Sequence, residues 1–206
     1  LVANVAVHRR MYALSSDDIT MLVMPLHHLN PQSVSLLSTL CSGGTVVIPE
    51  GFRLRDFIGL IHQYSCTWVA LVPAMIEQLL AFADSTPQQY HELKGLRFVR
   101  SSSAPLSTSS QQKFEQSFKV PVIQAMGSTE AGATFFSNPL PPDVSKIGSV
   151  GLPIGFEARV VNEKGELAAD NEIGSIQLLG DTLMSGYYKN AEATRQMFSD
   201  DGWMFT

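Results

Sequence analysis

Residues Val122–Gly132 read VIQAMGSTEAG, and the reading of this stretch governs the rest of the chain. An apolar run breaks at Gly127, and two hydroxyls, Ser128 and Thr129, and a carboxylate, Glu130, come directly after it. A chain leaving a buried strand in this way presents donors for a phosphate beside an acid for a metal. Glycine permits φ > 0 and close backbone approach. Threonine can donate to a phosphate oxygen, and glutamate is a hard oxygen ligand suited to Mg²⁺. The same letters also suit a plain strand-to-turn transition, which is common in α/β proteins. Taken alone, the stretch leaves both readings open.

Working outward, the text from Ile19 to Asn138 alternates short apolar runs with helical patterns, as parallel βα units do. Strands are expected at ITMLVMPL, ending at Pro25, and at TVVIPE, CTWVALV, LRFVRSSSA and VPVIQAM. Helices are expected at SVSLLSTLCSGG, closed by Gly43–Gly44, and at FRLRDFIGLIHQY, with Leu54, Phe57, Ile58 and Ile61 at 3–4 spacing. Two more are PAMIEQLLAFA, with Pro73 in its first turn, and the capped STSSQQKFEQSF. The chain opens on what reads as an amphipathic helix, LVANVAVHRRMYAL. Beyond Pro139–Pro142 the runs turn β-like and are broken by Gly and Pro, with a hairpin expected around Asn162–Gly165. The expected architecture is α/β: a parallel-sheet subdomain over 1–142 and a smaller β-rich subdomain over 143–206.

Composition narrows the function. An apolar share of 45% supports a sizeable core, and no run approaches the ~18 apolar residues of a membrane span. The net charge of −5, with signs interspersed, lacks the basic footprint of a nucleic-acid binder. Cys41 and Cys66 show no metal or redox spacing and read as two small reduced core residues. With no signal peptide in view, a cytoplasmic setting is expected. Met75, Leu79 and Phe82 read as core at helical spacing, and Trp203 as packing. No GxGxxG occurs after the early strands, which argues against a nucleotide-dependent dehydrogenase.

Six segments fit one template in order and spacing: MPLHH at 24–28, SSSAPL at 101–106, QAMGSTEAG at 124–132, KIGSVGLPIG at 146–155, GSIQLLGDTLMSGYYKNAEAT at 174–194 and DGWMFT at 201–206. Together they resemble the acyl-CoA synthetase branch of the adenylate-forming (AMP-binding) superfamily, with some similarity to oxalate–CoA ligase-like members. The resemblance covers essentially the whole chain. It implies a carboxylate substrate, ATP with Mg²⁺, and CoA or the pantetheine arm of a carrier protein as thiol acceptor, in a setting such as fatty acid metabolism. The carboxylate would attack the α-phosphate to give an acyl-adenylate, and the thiol would then displace AMP. That chemistry asks for positioning and charge neutralisation at phosphorus rather than a protein nucleophile.

By the resemblance, Thr129 would contact the α-phosphate and Glu130 would hold Mg²⁺. Ser103, Ala104 and Pro105 would form a loop against one face of the adenine, with Gln124, Ala125, Met126 and Gly127 against the other and Ser128 beside the phosphates. His28 would line the acyl pocket near the reacting carboxylate, with Val69, Phe135 and Phe136 as candidate lining. Read without the family, His27–His28 is a strand-end pair, and Ser101–Ser103 is a helix-leading loop.

The chain also departs from the pattern. Met126 stands where the motif usually has an aromatic, and oxalate-type members carry histidines where Asn30 and Ala133 stand here. Losing two donors argues against oxalate, because a buried dianion needs charge-assisted partners. The Gly-rich phosphate loop, the Gly-Asp after Thr206 and the lysine-bearing domain are not within these residues. The expectation is therefore the central piece of an adenylating enzyme, not competent alone. Two alternatives stay open: an adenylation domain that loads a carrier protein, and a non-catalytic relative acting as a binding module.

Overall fold

Strands β3 (Trp68–Leu71) and β4 (Phe98–Ser101) bury all four of their residues. A parallel sheet does this when helices cover both of its faces. The computed structural model describes residues 1–86 and 93–206. Around these strands lie β1 (Ile19–Met21), β2 (Thr45–Val47), β5 (Val122–Ser128), β6 (Ala133–Ser137) and β7 (Leu152–Pro153), in the order β2-β1-β3-β4-β5-β6-β7. The pairs from β2 to β5 are parallel, with Trp68 opposite Phe98 and Val99 opposite Val122. The two pairs formed by β6 are antiparallel. β7 lies beyond Pro142, where the sequence changes character, and still pairs within this sheet.

Two groups of helices provide the cover. α3 (Leu54–Gln63), α4 (Pro73–Ser85) and α5 (Thr108–Phe118) pack side by side. α1 (Val2–Met11) packs on a helix that winds as π over Pro31–Leu37 and as α over Ser38–Cys41, here α2. Pro73 sits in the first turn of α4, and the Ser107 hydroxyl accepts from Ser110 N–H at 3.0 Å to cap α5. Between the layers Tyr12, Trp68 and Phe98 stack at centroid spacings of 5.3–6.1 Å, and all three are fully buried. Such side chains bury roughly 150–250 Å² each and dominate a core.

Several boundaries differ from the sequence pattern. β1 ends at Met21 rather than Pro25, because its neighbour β2 ends at Val47 and only Leu22 N–H still reaches it, bonding Val47 O at 2.8 Å. Leu22–Met24 remain buried but leave the sheet. The helix expected from Ser33 begins at Pro31. Cys66 is buried, which raises its thiol to about 11, whereas Cys41 at the end of α2 is exposed and is not a core residue.

The largest difference concerns Gly127. The strand does not break there: a bulge between Met126 and Gly127 lets β5 continue to Ser128 and return through Thr129–Gly132 into β6. A Cβ at Gly127 would lie 1.9 Å from Ala133 O, so the bulge admits only glycine.

β8 (Glu157–Val161), β9 (Ser175–Leu179) and β10 (Met204–Phe205) form a smaller antiparallel sheet in the order β10-β9-β8. The hairpin expected at Asn162–Gly165 is present; Asn162 Oδ1 accepts from Lys164 and Glu166 N–H, and Gly165 has φ +80°. This sheet packs through Leu178 and Met204 on Phe135 of β6 and Ala131 of the β5–β6 turn. Trp203 packs under the Arg159 guanidinium at 4.3 Å. No helix among the described residues is long and apolar enough to cross a membrane.

Candidate active site

In an open α/β sheet, ligands bind beyond the carboxyl ends of the strands. A cavity of about 470 Å³ opens there, walled by the segments leaving β1, β3, β4 and β5 and by the start of β6. After β1 the chain supplies Met24, His28 and Asn30, and after β3 it supplies Val72 and Met75. β4 contributes Arg100, and the loop after it Ser102 and Ser103. Gly127, Ser128 and Thr129 come from β5 and its turn, and Ala133 and Thr134 from β6.

The sheet thus brings His28, Ser103, Gly127, Ser128 and Thr129, which are far apart in sequence, onto one cavity. Thr129 is exposed at the tip of the turn. The turn itself is clamped from three sides. Gly132 N–H bonds Thr129 O at 3.1 Å, Ala131 N–H bonds the Ser128 hydroxyl at 3.2 Å, and Ala131 O accepts from Asn4 Nδ2 and the Thr182 hydroxyl. Met184 N–H bonds Glu130 O at 2.7 Å. The Glu130 carboxylate accepts the Tyr187 hydroxyl at 2.9 Å. Its own backbone N–H, then Tyr187 and Ser128, hold the carboxyl below the usual range against the opposing effect of partial burial. Tyr187 is raised in turn, chiefly by that hydrogen bond.

Other expected residues lie elsewhere. Ala104 and Pro105 are exposed on the loop after Ser103 and do not line the cavity. Gln124 and Ala125 are buried within β5, and Gln124 Nε2 is committed to Gln111 Oε1. Met126 is half-buried and packs toward the small sheet. Val69, Phe135 and Phe136 do not line the cavity. Val69 is wholly buried in mid-strand, and Phe135 faces the second core. The apolar wall is instead Met24, Val72 and Met75, because the open space begins only where the strands end. Met75, expected as core, is therefore on the wall.

Sequence reasoning missed Arg100. Its side chain is 2% exposed. Nε donates to the Tyr12 hydroxyl at 2.7 Å, Nη1 to Asn30 Oδ1 at 3.0 Å and Ser102 Oγ at 2.6 Å, and Nη2 to Thr134 Oγ1 at 2.8 Å. The available signal was a lone charge inside the apolar run FVRS, an uncommon place for an arginine. Asn30, singled out only as a missing histidine, turns out to bridge Arg100 to Ser102 and Ser103, donating to their hydroxyls at 2.9 and 3.3 Å. Ser103 holds φ +75°, a strained value for a residue with a Cβ and one often found at functional sites.

A family model described as AMP-binding enzyme matches residues 1–188. The chain is 39% identical over 206 residues to a sulfoacetate–CoA ligase of Cupriavidus necator, covering all of this chain and 40% of that protein. It is 35% identical over 209 residues to an oxalate–CoA ligase of Arabidopsis thaliana, with the same coverage. Among solved structures, ATP-bound MatB from Rhodopseudomonas palustris superposes with a TM-score of 0.90 at 26% identity, over all of this chain and 40% of that one. The chain therefore spans about two fifths of the length of the relatives it matches.

Proposed function

Because the chain belongs to the AMP-binding enzyme family, we propose that it is part of an ATP-dependent acid–thiol ligase that joins a carboxylic acid to CoA. In the first step a carboxylate oxygen forms a bond to the α-phosphorus of ATP and the bond to pyrophosphate breaks. In the second, a thiolate attacks the acyl carbonyl and AMP leaves. The names of the relatives, from sulfoacetate and oxalate to 4-coumarate, support CoA as the acceptor and leave the acid open.

One observation carries this reading: the Thr129 hydroxyl sits on the cavity that Ser103 and Gly127 also line, with an ionised Glu130 beside it. Thr129 would donate to an α-phosphate oxygen and steady it as charge develops. Ser128 orders the turn by accepting from Ala131 N–H, so the site is preorganised before a ligand arrives. Glu130 is the residue that would hold Mg²⁺. Its carboxyl is held below the usual range, and no cluster of three or more His, Cys, Asp or Glu competes among the described residues. One carboxylate suits a metal that keeps phosphate oxygens and waters in its remaining positions. Bound there, the metal would supply charge neutralisation on the phosphates. Tyr187 orients Glu130 through its 2.9 Å hydrogen bond. His28, which also lines the cavity, would face the reacting carboxylate.

In the full-length protein, Thr129→Val and Glu130→Gln should each lower acid-dependent pyrophosphate release by about 10²-fold or more. Their denaturant midpoints should stay near wild type. Full pyrophosphate release by Thr129→Val would remove the phosphate role, and equal losses of activity and stability in Glu130→Gln would make Glu130 a structural cap.

A further inference from the structure

We propose that Arg100, with the hydroxyls of Ser102 and Thr134, receives a second anionic group on the acid, so that the site activates short dianionic acids. This rests on the proposed adenylation activity and names the class of acid it would use.

A guanidinium carries five N–H donors and no acceptor. Four of those on Arg100 go to neutral oxygens, those of Tyr12, Asn30, Ser102 and Thr134. Among the described residues no carboxylate lies in ion-pair range of it. Asp18 is taken by Arg97 at 2.8 Å, and Glu130 is held by Tyr187. The neighbouring buried His8, whether neutral or cationic, brings no negative charge. Burial, and then Arg100 itself, keep its imidazole neutral by lowering it to about 3. A buried charge without a counter-charge among the described residues is costly, and an anionic ligand in the cavity would offset that cost.

The donors left over all belong to residues that line the cavity. One N–H on Nη2 has no partner among the described residues. Ser102 Oγ already accepts from Arg100 and from Asn30 Nδ2, so its own O–H is left to donate. Thr134 Oγ1 accepts from Arg100, and its O–H also has no acceptor among the described residues. Arg100, Ser102 and Thr134 all line the cavity and are at most 5% exposed. Three donors without an acceptor suit a carboxylate or a sulfonate, which offers acceptors only.

The anion held there is not the reacting carboxylate. That group must reach the phosphorus beside Thr129, which is exposed at the turn tip, whereas Arg100 is buried. An oxygen tied up by charge-assisted bonds is also a poor nucleophile. The buried Arg100 end of the cavity would therefore take the far end of the acid, and a cavity of about 470 Å³ that also admits phosphate keeps that acid short.

The test uses the full-length protein and ATP-dependent pyrophosphate release with two shape-matched pairs. Malonate against acetoacetate probes a carboxylate, and sulfoacetate against methylsulfonylacetate probes a sulfonate. In at least one pair the dianion should be preferred in kcat/KM by about 10²-fold or more. Arg100→Met should bring that ratio near one and leave the KM for ATP unchanged. If Arg100→Met does not fold, the double variant Ser102→Ala/Thr134→Val should lower the ratio at least tenfold. The pair that responds identifies the group. No dianion preference in either pair, or equal losses on both members of a pair in a folded variant, overturns the proposal while leaving adenylation standing. No pyrophosphate release from any of the four acids overturns this proposal alone, because the adenylation reading leaves the acid open and is tested separately by Thr129→Val and Glu130→Gln.

Discussion

At the scale of single residues, polar side chains placed among apolar ones carry most of the consequences. His8 is buried, 3.5 Å from the Ser38 hydroxyl, and its imidazole is lowered from 6.5 to about 3. Above pH 6.5 the folded and unfolded chains both hold it neutral, and nothing is lost. As pH falls below 6.5, the unfolded chain binds a proton that the folded chain refuses, so stability drops by roughly 1.4 kcal/mol per pH unit. By pH 5 that amounts to about 2 kcal/mol. Denaturation at pH 7 and pH 5 should show this loss in wild type and its disappearance in His8→Gln. An unchanged pH dependence in the variant would assign the acid sensitivity to other groups. Glu130 shows the opposite case of a group poised by its partners. Its acidity arises from a turn whose sequence, GSTEAG, was legible, whereas Tyr187, which orients it, lies 57 residues on and was not paired with it by any pattern.

At the scale of elements, the β5–β6 hairpin is the part most sensitive to a small change. Its bulge brings the Gly127 backbone against Ala133, where an added Cβ would meet the carbonyl oxygen at 1.9 Å. Gly127→Ala should therefore cost on the order of 3 kcal/mol and displace Thr129 from the cavity. The denaturant midpoint and pyrophosphate release of the full-length protein should fall together. A variant with wild-type stability would show that the bulge relaxes at little cost. The helices were easier to read than this hairpin. α3 and α4 keep to their 3.6-residue periodicity, Pro73 and Ser107 sit at the starts expected of them, and Gly43 takes φ +81° past the end of α2. Strand ends were harder. β1 stops where β2 stops, a property of the pair that neither segment displays alone.

At the scale of the whole molecule, the two sheets meet through a shared apolar core. Phe135 belongs to a strand of the seven-stranded sheet but is buried in the core of the smaller one, beside Leu178, Met204 and Phe156. Phe135→Ala should cost about 3–5 kcal/mol. Hydrogen exchange should show β8–β10 losing protection before β3 and β4, and uniform loss across both sheets would mean that they unfold as one unit. Local pattern by itself determined the succession of strands and helices, the parallel character of the first sheet, the hairpin at Asn162–Gly165 and the family, because periodicity, caps and ordered motifs are properties of short segments. The family resemblance singled out Thr129, Ser103 and His28, and all three line the cavity. Only the tertiary structure decided that Asn30, Arg100 and Thr134 meet, that Val69, Phe135 and Phe136 lie away from the cavity, and that Met75 lines it. The physical reason is distance along the chain. Arg100 bonds residues up to 88 positions away, and a buried charge declares its need for a partner only once packing has removed the water around it.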